Sequence, residues 1–487
     1  MNSISEITKK ASIAFEQYAF TTALQRANFL ETIASNIEAL GDTLLEQAHK
    51  ETNLPLVRLQ GERARTCFQL RMFATMLKEG HYVEASIDTA IPSKTPPKPD
   101  IRKMLHPIGP VVVFGASNFP FAYSTAGGDT ASALAVGCPV IVKAHPAHLA
   151  TSTLVADAIV QAAETTKMPK DILQRNALRS IEIGKALVKD ENVYAVGFTG
   201  SRNGGRALLD YASARKNPIP VFAEMGSVNP VILLQEALEK NAESIAKNYA
   251  GSITLGMGQF CTNPGILVGV KSEALTNFSN ILANEMNAFA ASAMLHSGIE
   301  ESYLKNTAHA LAQKGVQCLT SKKPSANNNC AVLTTVDAAT FLSNPDLAEE
   351  VFGPYSILIQ CENVEELKKV WKNLKGQIST TIMGTDKDID AATDLLNMSL
   401  SIAGRIVING VPTGVEVCDS MVHGGPYPAS TDSRFTAVGV QAAKRWLRPI
   451  SFQNWPVHLL PAALQNHNPL GIWRNINGAL SKNEINA

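Results

Sequence analysis

From Pro107 onward, short apolar runs alternate with longer stretches of helical periodicity, and that alternation leaves few folds open. Residues 110–114, 139–143, 194–199 and 220–224 are too short for buried helices and carry no charge before their last residue. Runs of this kind are strands covered on both faces. Helical segments follow at 124–136, rich in small residues, and at 201–211. Strand–helix–strand units of this length require parallel pairing with right-handed crossovers. The fold class is therefore α/β, with a doubly wound, Rossmann-like sheet suited to a nucleotide. No G-x-G-x-x-G follows any of these strands. Its nearest substitute is Phe198-Thr199-Gly200-Ser201 opening the next helix, where exposed amides can hold a pyrophosphate.

A second α/β region begins near Glu236. A helix to about residue 250 and another over 272–291 accompany strands at 265–270, 357–360, 380–383 and 405–409. Residues 6–80 read as helical throughout, with Leu30, Ile33, Ile37, Leu40 and Leu44 at helical spacing. The proline-rich stretch 92–99 is hostile to helix, so 81–103 is expected as edge strands or a hairpin arm. The tail from about Lys444 carries Trp446, Trp455 and Trp473 and must dock on its own subunit or a neighbour. The expected division is 1–81 with 105–225 as a cofactor-binding domain and 226–441 as a catalytic domain. Residues 82–104 and 442–487 are left as an arm and tail for oligomerisation.

Composition narrows the function classes. Forty-three basic residues balance 43 acidic ones, which leaves no overall electrostatic footprint for nucleic acid or an anionic membrane. Seven scattered cysteines without a C-x-x-C pair argue against a disulfide framework or a zinc site, and for a reducing, cytoplasmic compartment. The first twenty residues lack the apolar core of a signal peptide. The longest uncharged run, 104–128, is broken by Pro and Gly and is no membrane span.

One stretch carries chemistry, Gly258-Gln259-Phe260-Cys261-Thr262-Asn263-Pro264-Gly265. Its glycines allow an open, tightly approached backbone around a single thiol. A nucleophilic cysteine needs a base and a donor for the developing oxyanion. Glu224, in Glu224-Met225-Gly226, offers the first and Asn118, in Asn118-Phe119-Pro120, the second. Taken singly, each has an ordinary reading: Cys261 as a small buried hydrophobe, Asn118 as a turn residue, Glu224 as a strand-end ion-pair partner.

As an ordered set these stretches resemble the aldehyde dehydrogenase superfamily, from about residue 10 to the end. The set comprises Asn118-Phe119-Pro120, the strand ending at Lys143, Phe198-Thr199-Gly200-Ser201, Glu224-Met225-Gly226, G-Q-x-C ending at Cys261, and Glu349-Glu350-Val351-Phe352-Gly353-Pro354. The blocks 411–418, 421–428, 431–436 and 446–449 are similar to one branch of that family. It holds 2-oxoglutarate semialdehyde (2,5-dioxopentanoate) dehydrogenases and a related NADP-linked fatty aldehyde dehydrogenase.

The resemblance implies an aldehyde dehydrogenase fold with Cys261 as nucleophile, Asn118 as oxyanion donor and Glu224 as the base that activates water. It further implies that Lys143 and Glu350 bind the cofactor riboses, that Phe352 packs by the nicotinamide, and that Gly200 and Ser201 meet the pyrophosphate. Relatives that prefer NAD carry a glutamate three residues after the lysine. Here Pro146 stands in that place, so no carboxylate repels a 2′-phosphate, and Arg179 falls where NADP-linked relatives place a phosphate-pairing arginine. NADP is the expected cofactor, with NAD as second choice. The expected substrate is 2-oxoglutarate semialdehyde, with a medium- or long-chain aldehyde as alternative, and a silent structural relative as the alternative of another class. A homodimer or homotetramer is expected. His423 and Arg434 read equally as partners for an oxo-acid carboxylate and as locks for their glycine-rich loop.

Overall fold

Three sheets organise the chain, two of them built from the apolar runs. The computed structural model describes residues 3–176, 180–326 and 328–485. Four helices come first: α1 (Ile4–Tyr18), α2 (Ala23–Ala39), α3 (Gly41–Thr52) and α4 (Leu56–Glu79). Thr22 starts α2 with a capping box, its hydroxyl accepting from Gln25 N while the Gln25 carboxamide accepts from Thr22 N. Gly80 ends α4 in the left-handed region, as such a stop requires.

Two arm strands follow, β1 (Ser86–Asp88) and β2 (Ile101–Pro107). Then come β3 (Val111–Phe114), α5 (Gly128–Val136), β4 (Val140–Lys143), α6 (Leu149–Thr165), β5 (Leu173–Asn176), α7 (Ile181–Lys189), β6 (Ala195–Thr199), α8 (Arg202–Ser213) and β7 (Val221–Glu224). These strands form a five-stranded sheet in the order β5-β4-β3-β6-β7, every pair parallel. The chain runs outward from β3 in one direction and then in the other, so a crevice opens where the order reverses, at the carboxyl ends of β3 and β6. Side chains alternate between two cores. Val111, Val113, Val140 and Val142 pack toward α2, α4, α5 and α6, whereas Val112 and Ile141 meet Ile7 and Ala11 of α1 and Leu187 of α7. The helix expected over 124–136 is shorter, because 119–127 coils into turns before Gly128. Strand β5 was not anticipated: Leu-Gln-Arg-Asn is no apolar run.

The second sheet has seven strands in the order β10-β11-β12-β9-β8-β13-β14. It contains β8 (Val231–Leu233), β9 (Ile266–Val270), β10 (Gln317–Cys318), β11 (Val332–Asp337), β12 (Tyr355–Cys361), β13 (Gln377–Met383) and β14 (Ala403–Ile408). All pairs are parallel except β10 with β11. Helices α9 (Gln235–Thr254), α10 (Glu273–Ala288) and α11 (Ser297–Leu311) belong to this region. The two faces of the sheet again feed separate cores, Ile266, Val268 and Ile357 on one and Leu267, Leu333 and Leu358 on the other.

The third sheet joins the arm to the tail, in the order β15-β2-β1-β16-β17, through β15 (Leu447–Gln453), β16 (Arg474–Ile476) and β17 (Ala479–Ser481). Strands β2 and β15 pair antiparallel over seven residues. The tail docks on its own subunit at fixed points. Trp446 is fully buried with Nε1 donating to Ser132 Oγ at 2.8 Å, and the buried Arg474 donates to the Asn483 carbonyl at 2.8 Å. Trp455 and Trp473 remain about half exposed. Among the described residues no helix is long and apolar enough to cross a membrane, and all seven cysteines are free.

Candidate active site

The carboxyl ends of the first sheet face the amino ends of the second, and this opposition assembles the site. Asn118 lies in the loop after β3, Lys143 closes β4, Gly200 and Ser201 follow β6, and Glu224 closes β7. From the other side, Cys261 precedes β9 and Glu350 and Phe352 precede β12. Between them lies a cleft of about 390 Å³, lined by Asn118, Tyr123, Gly200, Ser201, Glu224, Cys261, Glu350 and Phe352 among others.

Backbone geometry makes the cysteine loop possible. Gly256, Met257 and Gly258 all take positive φ, at 54°, 61° and 63°. A Cβ on Gly258 would sit 2.3 Å from the Gly353 carbonyl, so only glycine fits there. Gly265 is different: a Cβ there would meet nothing nearer than 3.4 Å, and the expected need for glycine holds at Gly258 alone. The loop is then tied down by Asn229, whose Nδ2 donates to the carbonyls of Cys261 at 2.8 Å and Asn263 at 2.9 Å. Ser227 steadies Asn229 by donating to its Oδ1 at 3.1 Å or to Gln377 Oε1 at 2.8 Å. The Ser227 hydroxyl is a node of this buried network.

Around the sulfur, four groups converge. Asn118 Nδ2 donates to the Gln259 carbonyl at 3.0 Å, which holds the amide beside Cys261. Cys261 Sγ lies 3.6 Å from His423 Nε2, and that nitrogen lies 2.8 Å from Glu224 Oε2. Both His423 and Glu224 are almost fully buried, and neither carboxylate oxygen of Glu224 has an aligned hydrogen-bond donor among the described residues. Burial and the nearby carboxylates of Glu224 and Glu350 push the Cys261 thiol well above its usual range. The thiol is thus neutral at rest and needs an acceptor for its proton. His423 Nε2 stands between the sulfur and the Glu224 carboxylate, within reach of both.

His423 was the residue left open by the sequence. Its backbone does lock the glycine-rich loop, with N donating to Thr436 Oγ1 at 2.8 Å and O accepting from Ala437 N at 2.8 Å. Its ring, however, stands between the thiol and the carboxylate. Arg434 is at the surface, paired with Asp432 and lying over Phe435, away from the cleft. The available signal for His423 was its place in the Met421-Val422-His423-Gly424-Gly425 block, but 162 positions separate it from Cys261.

On the cofactor side, Lys143 is half-buried and its ammonium is depressed by desolvation. Gly200 N donates to the Glu224 carbonyl at 3.1 Å, so that amide is committed to the strand. The lack of a Cβ at Gly200 and Gly204 seats the Phe198 ring, which would otherwise lie within 3 Å of both. Ser201 caps α8, its Oγ accepting from Gly204 N at 3.3 Å, and this helix N-terminus opens on the cleft. Glu350 is half-buried, with its carboxylate in the space a Cβ on Gly226 would fill. Burial and the charges of Glu224 and Glu349 push it up to about 7. Pro146 stands at the first position of a short 3-10 turn after β4. Three imidazoles gather there, unanticipated: His145 lies 5.5 Å from His148 and 6.0 Å from His296, between ring centres. Burial and its charged neighbours depress His145 to about 3 and keep it neutral. Arg179 lies outside the described residues.

Two outcomes follow from this geometry. Gly258→Ala shifts the thiol by about 1 Å and lowers turnover on the order of 100-fold, whereas Gly265→Ala leaves it within a few-fold in the same assay. In His423→Gln, alkylation of Cys261 by iodoacetamide at neutral pH slows by about 100-fold. The rate recovers only as pH rises toward the raised pKa of the thiol; an unchanged pH–rate profile would remove the imidazole from the proton path.

Comparison with known proteins identifies the family. Residues 2–435 match the profile described as the aldehyde dehydrogenase family. The chain is 47% identical over 465 residues, 95% of its length and 88% of the relative's, to a protein of Azospirillum brasilense named alpha-ketoglutaric semialdehyde dehydrogenase 2. It is 45% identical over 487 residues, 99% and 92% of the two lengths, to the alpha-ketoglutaric semialdehyde dehydrogenase of Acinetobacter baylyi. Among solved structures, aldehyde dehydrogenase 21 of Physcomitrella patens shares the fold at TM-score 0.78 and 19% identity, over 94% of this chain and 91% of the other. With the fold, the site and two relatives of nearly full length in accord, the chain belongs to the aldehyde dehydrogenase family.

Proposed function

We propose that the chain oxidises 2-oxoglutarate semialdehyde to 2-oxoglutarate through a covalent intermediate on Cys261, with NADP preferred over NAD. The observation that carries the chemistry is the meeting of a thiol, an imidazole, a carboxylate and a carboxamide in one cleft. The two relatives named for this substrate support its identity.

His423 Nε2 takes the thiol proton and Glu224 balances the charge. The Cys261 thiolate attacks the aldehyde carbon, and the oxygen that becomes negative is held by Asn118 Nδ2 and the Cys261 backbone N–H. A nicotinamide bound beside Cys261 would supply the hydride acceptor that turns the thiohemiacetal on Cys261 into a thioester. Glu224 then removes a proton from water as that water attacks the Cys261 thioester, releasing the carboxylate and the free thiol.

The cleft suits such a cofactor. An ammonium at Lys143, the N-terminus of α8 at Ser201, the carboxyl of Glu350 and the ring of Phe352 stand along it. Lys143 and Glu350 would bind the riboses, Ser201 with the first-turn amides the pyrophosphate, and Phe352 would flank the nicotinamide. Pro146 leaves the adenosine end without a repelling carboxylate, which favours NADP. The half-exposed Trp455 and Trp473 on the arm and tail favour a homodimer or homotetramer.

Formation of NADPH, followed for 2-oxoglutarate semialdehyde beside decanal, tests this reading. The expected kcat/KM favours the oxo acid by at least about 100-fold, and favours NADP over NAD. A preference for decanal would make the chain a fatty aldehyde dehydrogenase, and a preference for NAD would overturn the cofactor reading.

A further inference from the structure

Arg58 reaches the carbonyl of Asn118, and Arg65 and Arg405 both reach the loop 412–415, yet none forms an ion pair among the described residues, and none lines the 390 Å³ cleft. Helix α4 presents Arg58, Glu62 and Arg65 at i, i+4 and i+7, on one face. That face covers the loop carrying Asn118. Arg58 Nη2 donates to the Asn118 carbonyl at 2.7 Å, and Glu62 Oε1 accepts from Phe121 N at 2.8 Å and Ala122 N at 3.0 Å.

Glu62 shares a helix face with Arg58 and Arg65, and it is committed to those amides. Burial pushes its carboxyl up to about 6, which weakens it as a counter-charge. Arg65 Nη1 donates to the Val415 carbonyl. From β14, on the other side, Arg405 donates to the Gly414 carbonyl at 2.9 Å and to the Pro412 carbonyl. Two guanidiniums thus hold one loop, 412–415, and are held by it. Arg65 Nε is buried with no partner. Arg405 is depressed by burial, and the charges that act against this are those of Cys261 and Tyr123, so it lies within electrostatic reach of the reacting sulfur. Arg65 in turn acts on the buried Tyr123 phenol. Half-buried guanidiniums facing carbonyls alone carry a desolvation cost that an anion recovers.

We propose that Arg65 and Arg405 receive the carboxylate of an ω-oxo acid, holding the end of the substrate opposite the aldehyde that Cys261 attacks. This rests on the oxo-acid reading given above and supplies its selectivity. The planar guanidinium fork matches a carboxylate, and loop carbonyls that already fix both side chains leave little freedom to lose on binding. Arg58 is part of the wall, clamped between the rings of Phe119 and Phe260 at 5.0 Å from each. An uncharged aldehyde leaves both receptor cations uncompensated, so the site discriminates by charge as well as by length.

The test compares 5-oxopentanoate with pentanal, equal in carbon number, by kcat/KM with NADP. The wild type favours the acid. Arg405→Leu and Arg65→Met each lower the acid-to-pentanal ratio by about 10- to 100-fold, and Arg405→Lys restores part of it. Loosening of the loop alone lowers both rates together, so an unchanged ratio in Arg405→Leu and Arg65→Met overturns the receptor. A wild type without preference for the acid contradicts the oxo-acid reading itself, a separate and distinguishable failure.

Discussion

A half-buried thiol flanked by carboxylates is a poor nucleophile, and the arrangement of the site follows from that constraint. In the proposed reaction partial burial shields the thioester from solvent and strengthens the oxyanion donors, but desolvation also drives the Cys261 pKa upward. Glu224, the carboxylate proposed to activate water, adds to this, because it lies close enough to disfavour a thiolate. An imidazole between the two resolves the conflict. His423, 3.6 Å from the sulfur and 2.8 Å from the carboxylate, turns an electrostatic obstacle into a counter-charge for the proton it accepts.

The scaffold serves that arrangement by placing opposite strand ends against each other. Loops after parallel strands hold Asn118 and Ser201, while loops before the strands of the second sheet hold Cys261 and Glu350. Buried hydrogen bonds then fix what the loops leave free. Gln377 Oε1 accepts from Val228 N at 2.9 Å and Asn229 N at 3.2 Å, and Asn229 carries that order to the carbonyl of Cys261. A displacement anywhere along this chain moves the nucleophile, which is why the site is sensitive far from the sulfur.

Much of the fold was legible because period-2 burial leaves a strong mark. Val111 to Val113 and Val140 to Val142 are apolar on both faces, since each face meets a different helical layer. Strands β5 and β16, with Gln, Arg and Asn among their residues, left no such mark and are defined by their pairing partners instead. Within the site, Cys261, Glu224 and Asn118 were visible through their local neighbours, glycines and a Phe-Pro turn. His423 and the arginine pair were not assignable, because their roles come from contacts across 162 and 350 positions of chain. The part Ser227 plays was not legible either, because it depends on Gln377, a residue of another strand.

The most direct measurement of the account is mass spectrometry of the Glu224→Gln enzyme, mixed with 2-oxoglutarate semialdehyde and NADP and quenched in acid. Hydrolysis is blocked in that variant, so the acyl group should accumulate on Cys261 with about one NADPH released per site. An acyl group on any other cysteine, or turnover without any covalent adduct, would contradict a mechanism built on Cys261 and its buried acid–imidazole pair.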